Sequence, residues 1–450
     1  MRYLPHTPEE IRRMSEAIGI QGPDDLFKVI PEKLRFQGRL ELPPALSEID
    51  LLRHLKALGR DNETVDSLSS FLGGGAYHHY IPVAVSTITG RGEFQTSYTP
   101  YQPEISQGTL QAIFEYQTMI ASLTGMDLAN AGNYDGASAL AEAVLMALRL
   151  SDEKRDTVLL AGSIHPEYRE VVRTYLSNIG CQIVEVPRGA DGRLDGAALQ
   201  KLLNDQVAAV CIQSPNAFGV IEETAKISAA ARQAGALLIA SFSEALSLGL
   251  LEPPGKQGAD IAVGEGASFG NFLNLGGPYL GLFATKKEYV RQMPGRLVGE
   301  TIDAEGKRGF VLVLSTREQH IRREKATSNI CTNQALCALA TTVYLSLLGP
   351  KGLRQLAEIN YAHARYLRDG LTKVPGVKRL FAAPHFNEFV LDLPSDPKQV
   401  LSALHAKGIA GGIALGSWGP GLERAILVCA TEMNSKSQMD EYIRALREVL

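Results

Sequence analysis

Between residues 157 and 284 the chain alternates short apolar runs with amphipathic helical patterns, and this alternation restricts the possible folds most. The apolar runs cover 157–161, 181–186, 207–213, 236–240, 259–263 and 280–284, and helical patterns occupy 166–177, 196–203 and 222–233. Apolar strands separated by helices predict a largely parallel α/β sheet. No full helix separates the last two runs, so this pair can be antiparallel.

The flanking segments have different patterns, and together they predict three parts. Residues 1–65 read as a helical arm that starts at Thr7 and Pro8, with apolar faces that need the main body or a partner to pack on. Residues 66–330 form the large α/β domain. Residues 331–450 form a smaller α+β domain, with helices at 334–348, 352–371 and 437–450 and strands at 388–393 and 424–430.

Charge and composition exclude several classes of function. The net charge is −4 and no basic block occurs, which argues against a nucleic-acid partner. No run approaches the roughly 20 apolar residues that span a bilayer, and the N-terminus lacks a signal-peptide pattern. The five cysteines are scattered without a CxxC pair, as expected of reduced thiols in a cytoplasmic protein without a metal site.

Residues 71–108 are rich in glycine, proline, tyrosine and histidine, and they lack a regular period. A long irregular segment of this composition is typical of a structured functional loop. We interpret it as a wall of a pocket or interface; the alternative is a polar loop that packs on its own aromatic side chains. Its candidate residues are Tyr77, His78, His79, Tyr98, Tyr101 and Glu104.

A second candidate lies at 135–138, where Asp-Gly-Ala-Ser opens a helix. Backbone N–H groups at a helix start can bind a phosphate or another anion, but Asp135 as an ordinary N-cap explains the same residues. His165 follows a predicted strand and so lies at the ligand-binding edge of the sheet, although a capping role is equally consistent with its position.

The glycine-rich run 264–281 connects the last two predicted strands. Its glycines let the backbone approach a ligand closely, as in an active-site loop. The run nevertheless contains no lysine, histidine or cysteine. The reactive side chain expected of such a loop is therefore missing.

Three long motifs resemble the P-protein of the glycine cleavage system. They are Phe-Leu-Gly-Gly-Gly-Ala-Tyr-His-His-Tyr-Ile-Pro at 71–82, Tyr-Thr-Pro-Tyr-Gln-Pro-Glu-Ile-Ser-Gln-Gly at 98–108, and Lys-Ala-Thr-Ser-Asn-Ile-Cys-Thr-Asn-Gln-Ala-Leu at 325–336. The length of the chain resembles the α subunit of the split bacterial form. The resemblance implies the type I fold of pyridoxal phosphate (PLP) enzymes, with a large, mostly parallel sheet domain and a smaller α+β C-terminal domain.

The family's chemistry uses a lysine whose amine forms a Schiff base with PLP. In the catalytic subunit this lysine lies in a His-Lys-Thr-Phe context, and alignment on Phe269 places Ala267 at its position. The acid that pairs with the PLP ring nitrogen corresponds to Ala240 or Ser241 here, and Glu244 is a poorly placed substitute. The resemblance thus implies a chain that binds no PLP covalently.

The expected function is that of a pseudo-catalytic α subunit. Its partners would be a homologous β subunit that carries PLP and the lipoylated H-protein, and the complex would decarboxylate glycine and pass the aminomethyl group to the lipoyl arm. The six loop residues would line the partner's active site. Two alternatives remain open: a stand-alone PLP enzyme that uses Lys286 or Lys325, and a subunit that only stabilises its partner.

Overall fold

The structure, a computed structural model, describes residues 5–36, 38–151 and 154–450, which divide into two compact units at residues 63 and 64. The first unit contains the helices α1 (Pro8–Ile18) and α2 (Glu48–Arg60). Thr7 caps α1 and forms a capping box with Glu10, as the sequence predicts. Many apolar side chains of both helices are exposed, so packing of the arm on a larger surface stays a prediction.

The second unit contains the remaining elements. Its helices are α3 (Val83–Thr89), α4 (Gly92–Gln95), α5 (Gln107–Thr124), α6 (Gly136–Leu150), α7 (Pro166–Leu176), α8 (Gly196–Leu202), α9 (Thr224–Gln233), α10 (Gln319–Arg322), α11 (Ala335–Leu371), α12 (Pro397–His405) and α13 (Lys436–Val449). Its strands are β1 (Ser69–Ser70), β2 (Leu128–Ala129), β3 (Thr157–Ala161), β4 (Gln182–Val186), β5 (Val207–Gln213), β6 (Leu237–Phe242), β7 (Ile261–Glu265), β8 (Gly281–Thr285), β9 (Leu297–Ile302), β10 (Arg308–Val313), β11 (Lys378–Arg379), β12 (Glu388–Asp392), β13 (Ile409–Ala410), β14 (Ile413–Ala414) and β15 (Ala425–Cys429).

A seven-stranded sheet in the order β2-β8-β7-β6-β5-β3-β4 forms the centre of this unit. The pairs from β4 to β7 are parallel, whereas β8 is antiparallel to both β7 and β2. This confirms the predicted sheet and its antiparallel last pair. β6 and β7 each extend two residues beyond the predicted ends, because polar Ser241 and Glu265 are buried through hydrogen bonds at the strand ends.

A smaller antiparallel sheet, in the order β11-β12-β15-β14, lies in the C-terminal part. Phe389, Leu391, Ile426 and Val428 on β12 and β15 are buried in a core with Tyr442 of α13. The elements are those that the sequence predicts for this region. The domain boundary at residue 330 stays a prediction. Residues after 330 contribute to the core of the large sheet as well as to that of the small sheet.

Helix α11 connects the two cores. Its backbone leaves helical geometry at Gly349 (φ 58°, ψ 179°), which confirms the two predicted helices. Ala338 and Tyr344 lie in the core of the large sheet, whereas Leu367 and Leu371 lie in that of the small sheet. By length and composition, α11 alone among the described helices could cross a membrane, but half of its most apolar window is buried, as in a core helix.

The backbone at Gly219 joins the large and small sheets. Its carbonyl oxygen accepts a hydrogen bond from Phe386 N, and its φ of 75° suits glycine. A Cβ atom at this position would lie 2.1 Å from the backbone oxygen of Glu388. Residue 219 must therefore be glycine for two separate reasons, conformation and space.

Replacement of this glycine should destabilise the protein more than the same replacement at an open turn. Gly306→Ala is the matched control, since Gly306 has φ 79° and a Cβ atom added there would meet nothing within 4 Å. The control should lose about 1–2 kcal/mol from left-handed strain, and Gly219→Ala should lose a further ~1–3 kcal/mol from the clash. Chemical denaturation measures both, and equal losses would contradict the close approach of the two sheets.

Candidate functional site

Three neighbouring strands end at one edge of the large sheet and define the candidate site. β5, β6 and β7 run parallel, so Gln213, Phe242 and Glu265 at their ends lie along the same edge. In α/β proteins the crevice outside this edge binds ligands. The N-terminus of α6 meets the edge at Glu265.

The carboxylate of Glu265 is bound by three backbone N–H groups. Its Oε2 accepts a hydrogen bond from Gly136 N at 3.0 Å, in the first turn of α6, and its Oε1 accepts from Ala267 N at 3.0 Å and Leu280 N at 2.9 Å. A helix N-terminus attracts negative charge through its free N–H groups and its dipole. The protein's own carboxylate therefore occupies the position at which an anion would bind.

A second N–H group of this helix start, that of Ser138, is also bound within the protein. Asp135 is the N-cap, and its Oδ1 accepts a hydrogen bond from Ser138 N at 2.7 Å. A Cβ at Gly136 would lie 2.6 Å from Tyr168 Oη and 2.8 Å from Glu265 N, so no space remains beside it. Burial raises the pKa of Glu265 to about 7, although the three N–H groups oppose this.

Ala267 lies in the turn that follows β7, two residues after Glu265. It is buried, and its side chain is a methyl group without an acid, base or nucleophile. Lys286 does not replace it, because it follows β8 and pairs with Asp260 at the opposite end of β7. That end is about 16 Å from Glu265 for a five-residue strand. Lys325 is exposed and lies outside the elements that form this edge.

The residues at the position predicted for the acid that pairs with the PLP ring nitrogen also bind other groups of the protein. Ser241 Oγ donates a hydrogen bond to Ile212 O at 2.8 Å. Glu244 Oε1 accepts from Leu246 N at 3.0 Å, and its Oε2 lies 2.9 Å from His79 Nε2. Both carboxylate oxygens of Glu244 therefore have partners within the protein.

His79 forms the centre of a buried ion cluster. Its Nε2 lies 2.9 Å from Glu244 and its Nδ1 lies 2.9 Å from Glu432. Burial would lower the pKa of His79, but the two carboxylates outweigh it and raise this pKa to about 10. The imidazolium thus fastens the 71–80 loop to both the large sheet and the C-terminal domain.

Tyr77 forms a second anchor of the same loop. Its hydroxyl donates a hydrogen bond to Glu388 Oε2 at 2.8 Å and lies 3.0 Å from Ser243 Oγ. Gly74 N donates to the other oxygen of Glu388 at 2.6 Å. Tyr77 is buried, whereas its neighbour His78 is half-buried. The structure therefore brings Tyr77 and His79 together on the inner side of the loop.

The other three candidate residues form a separate, exposed group. Tyr98, Tyr101 and Glu104 are all exposed, the two tyrosines by 75% and 48% of their surface. Tyr98 Oη lies 3.4 Å from Thr332 Oγ1, within the third sequence motif. The motifs at 98–108 and 325–336 thus meet at a surface.

Arg296, which was not among the residues predicted from the sequence, holds the side chain of Tyr101 in place. Its Nη2 donates a hydrogen bond to Tyr101 Oη at 3.1 Å, and its guanidinium lies 5.3 Å from the centre of the ring. Glu318 lies 3.7 Å from Arg296, and the ring of His320 packs edge-on against Tyr101 at 5.6 Å. A buried charged cluster therefore holds an exposed tyrosine in place.

His165 has the alternative role that the sequence allows. Its side chain caps α7 by accepting a hydrogen bond from Glu167 N at 3.3 Å, and its ring lies 4.9 Å from that of Trp418 in a T-shaped arrangement. The indole of Trp418, in the C-terminal domain, thus packs on the side chain of His165 at this edge of the sheet.

The fold and the sheet edge define the class of protein. Glutamate decarboxylase of Lactobacillus brevis is similar in fold, with a TM-score of 0.69 and 13% identity over 94% of this chain and 97% of the other. The chain therefore has the fold of the PLP-dependent transferases, with a mixed seven-stranded sheet.

Closer similarities identify the family. The family profile described as "Glycine cleavage system P-protein" matches residues 1–446. A solved structure of glycine decarboxylase (P-protein) in inhibitor-bound form is 46% identical, has a TM-score of 0.89 and covers all of both chains. The "Probable glycine dehydrogenase (decarboxylating) subunit 1" of Anaeromyxobacter dehalogenans is 51% identical over 99% of this chain and 100% of the relative.

The chain belongs to the glycine cleavage system P-protein family and is a subunit of glycine dehydrogenase (decarboxylating). This confirms the resemblance that the three motifs indicate. A subunit 1 implies a subunit 2 as partner, together with the other components of the glycine cleavage system.

The ion cluster predicts a specific dependence of stability on pH. The pKa of His79 is higher in the folded protein than the unfolded value of about 6.5, so its contribution is complete below pH 6.5 and is lost as the pH rises towards 10. His79→Gln should cost about 3–5 kcal/mol near pH 6, and this difference from the wild type should shrink as the pH rises to 9.5. Denaturant unfolding at several pH values measures it.

His78→Gln is the matched control, because burial and the adjacent charge lower the pKa of His78. The contribution of His78 should change only below about pH 6.5, where acid favours the variant over the wild type. A His79→Gln difference that is constant from pH 6 to 9.5 would show that His79 is not held as an imidazolium.

Proposed function

We propose that this chain is the non-Schiff-base-forming α subunit of a heteromeric glycine decarboxylase and that it holds no PLP itself. The observation that carries this proposal is that Ala267 and Glu265 occur together at this site. The first residue cannot form an imine, and the second occupies the helix start at which the phosphate of a cofactor would bind. The residues of this chain therefore do not fit PLP.

A phosphate at this helix start would lie beside Glu265, whose pKa is already about 7, so this side chain would either repel the phosphate or have to take up a proton. The N–H groups of Gly136, Ala267 and Leu280 already bind Glu265, so they are not free to bind the phosphate. A stand-alone PLP enzyme that uses Lys286 is further disfavoured, since Lys286 lies at the other end of β7.

The proposed partner is a homologous catalytic β subunit that carries PLP, and the complex acts in the cytoplasm. The glycine decarboxylated by the complex would lose CO₂ on the partner, and the aminomethyl group would pass to the lipoyl arm of H-protein. We place Tyr98, Tyr101 and Glu104 in the wall of the partner's active site or lipoyl channel. His78 lies on the neighbouring loop that Tyr77 and His79 anchor.

The contacts that hold the side chain of Tyr101 in place support its assignment to this wall. An exposed side chain usually retains rotamer freedom, and its immobilisation costs about 0.5–1.5 kcal/mol. Here Arg296 donates a hydrogen bond to Tyr101 and Glu318 compensates the charge of the arginine, although stability of the core does not require an ordered surface tyrosine. A fixed hydroxyphenyl group at a surface is favourable for a partner that docks on it, because the ordering cost is met before binding.

Reconstitution with the partner tests the proposal. Neither chain alone should catalyse exchange between glycine and bicarbonate, and the mixture should be active. Tyr101→Ala and Arg296→Met should each lower kcat/KM of the mixture at least tenfold, which corresponds to the loss of about 1.4 kcal/mol in the transition state. The mass of the complex should stay unchanged.

Tyr366→Ala is the matched control, because Tyr366 is also an exposed tyrosine with a hydrogen-bonded hydroxyl, donated to Asp440, and a cation, Lys436, 5.3 Å from its ring centre. The mixture that contains Tyr366→Ala should have the same kcat/KM as the mixture with the wild-type chain. Full activity of Tyr101→Ala and Arg296→Met in an intact complex would contradict the wall and favour a subunit that only stabilises its partner.

A further inference from the structure

A cavity of about 450 Å³ lies between α6, the end of α7 and the segment 324–330. Glu142 and Arg149 line it from the middle and the end of α6, beyond the first turn that contacts Glu265. One buried water occupies about 30 Å³. The cavity is therefore large enough for a small organic molecule.

Glu142 gives the cavity a buried acceptor without a partner. The side chain is only 4% exposed, and its Oε1 accepts a hydrogen bond from Ser328 Oγ at 2.8 Å. Its Oε2 has no hydrogen-bond partner among the described residues. An unsatisfied buried carboxylate oxygen is destabilising, so a donor in the cavity would stabilise it.

Arg149, seven residues later on the same helix, gives the cavity an unpaired donor. Its Nη2 donates to Gln292 O at 3.0 Å, whereas its buried Nε has no partner in the described parts of the chain. Residues seven apart lie about two turns apart on one helix face. Within residues 5–36, 38–151 and 154–450, no hydrogen bond joins these two opposite charges, although both line the same cavity.

We propose that this cavity binds a small α-amino acid, whose ammonium group pairs with Glu142 and whose carboxylate pairs with Arg149. A zwitterion satisfies the unpaired acceptor and the unpaired donor together and adds no net charge to a buried site. A lone amine or a lone acid would satisfy one group and leave the other unpaired.

The remaining walls accommodate an aliphatic side chain. Leu145, Ile179 and Ile330 line the cavity together with the rings of Tyr134 and Tyr175. Burial of aliphatic carbon against these side chains is favourable, so leucine should bind more tightly than glycine. The exposed Glu324 lies at the cavity as the only other acid among the lining residues described.

Residues 328–330 line the cavity, and two hydrogen bonds connect the segment 328–331 to α6 and to Tyr134. Ser328 Oγ donates to Glu142, and Cys331 N donates to Tyr134 Oη at 3.4 Å. This segment belongs to the third sequence motif, so occupation of the cavity would stabilise the motif. Binding at this cavity requires neither PLP nor the partner subunit.

Calorimetric titration of the full chain with leucine tests the proposal directly. Leucine should bind saturably with one site per chain. 3-Methylbutylamine, which lacks the carboxylate, and 4-methylpentanoate, which lacks the ammonium group, should bind at least tenfold more weakly, because each leaves one charged hydrogen bond of the site unmade. Absence of saturable heat with leucine would show a cavity that holds water only and would overturn the proposal.

Variants locate the binding site. Glu142→Gln and Arg149→Met should each weaken leucine binding at least tenfold, by the same loss of a charged hydrogen bond. Glu358→Gln and Arg354→Met are matched controls in an exposed ion pair on α11, and they should bind leucine as the wild type does. Wild-type affinity of both cavity variants would also overturn the proposal, and thermal unfolding checks that each variant is folded.

Discussion

The contact between the Glu265 carboxylate and three backbone N–H groups connects the elements at the centre of the large domain. It joins the end of β7, the first turn of α6 and the residue before β8. Because a buried carboxylate is costly without such donors, the three segments must keep this arrangement for Glu265 to remain there. The same contact uses an N–H group of the helix start, that of Gly136. This contact is the basis of the proposal that the helix start of this chain binds no cofactor phosphate.

The 71–80 loop shows a similar use of buried charge. Tyr77 and His79 bind Glu388, Glu244 and Glu432, which come from both the large sheet and the C-terminal domain. Polar side chains that could serve catalysis in another protein are here used to join domains. The exposed tyrosines at 98 and 101 remain available to a partner, with Arg296 as the support of the second.

Much of the fold follows from sequence pattern, because the buried strands are continuous apolar runs and their helices have clear starts and stops. The break at Gly349 and the antiparallel β8 are examples. The motif at 98–108 and the position of Ala267 could likewise be recognised without coordinates. The ends of β6 and β7 could not, because Ser241 and Glu265 are polar yet buried.

The contacts of Glu265 and Arg296 could not be predicted from the chain alone. Glu265 binds Gly136, which is 129 residues away, and Arg296 binds Tyr101, which is 195 residues away. Local periodicity carries no information on such pairs. An isolated acid beside a glycine-rich run indicates neither burial nor a helix start as its partner, and the only signal was the absence of a reactive residue in 264–281.

Borohydride reduction of the reconstituted complex loaded with PLP, followed by peptide mapping of both chains, tests whether the chemistry belongs to the partner subunit. If it does, a reduced PLP–lysine adduct will be found in the partner's peptides and none in peptides of this chain. A stoichiometric adduct on Lys286, Lys325 or any other lysine of this chain would contradict this assignment of the chemistry.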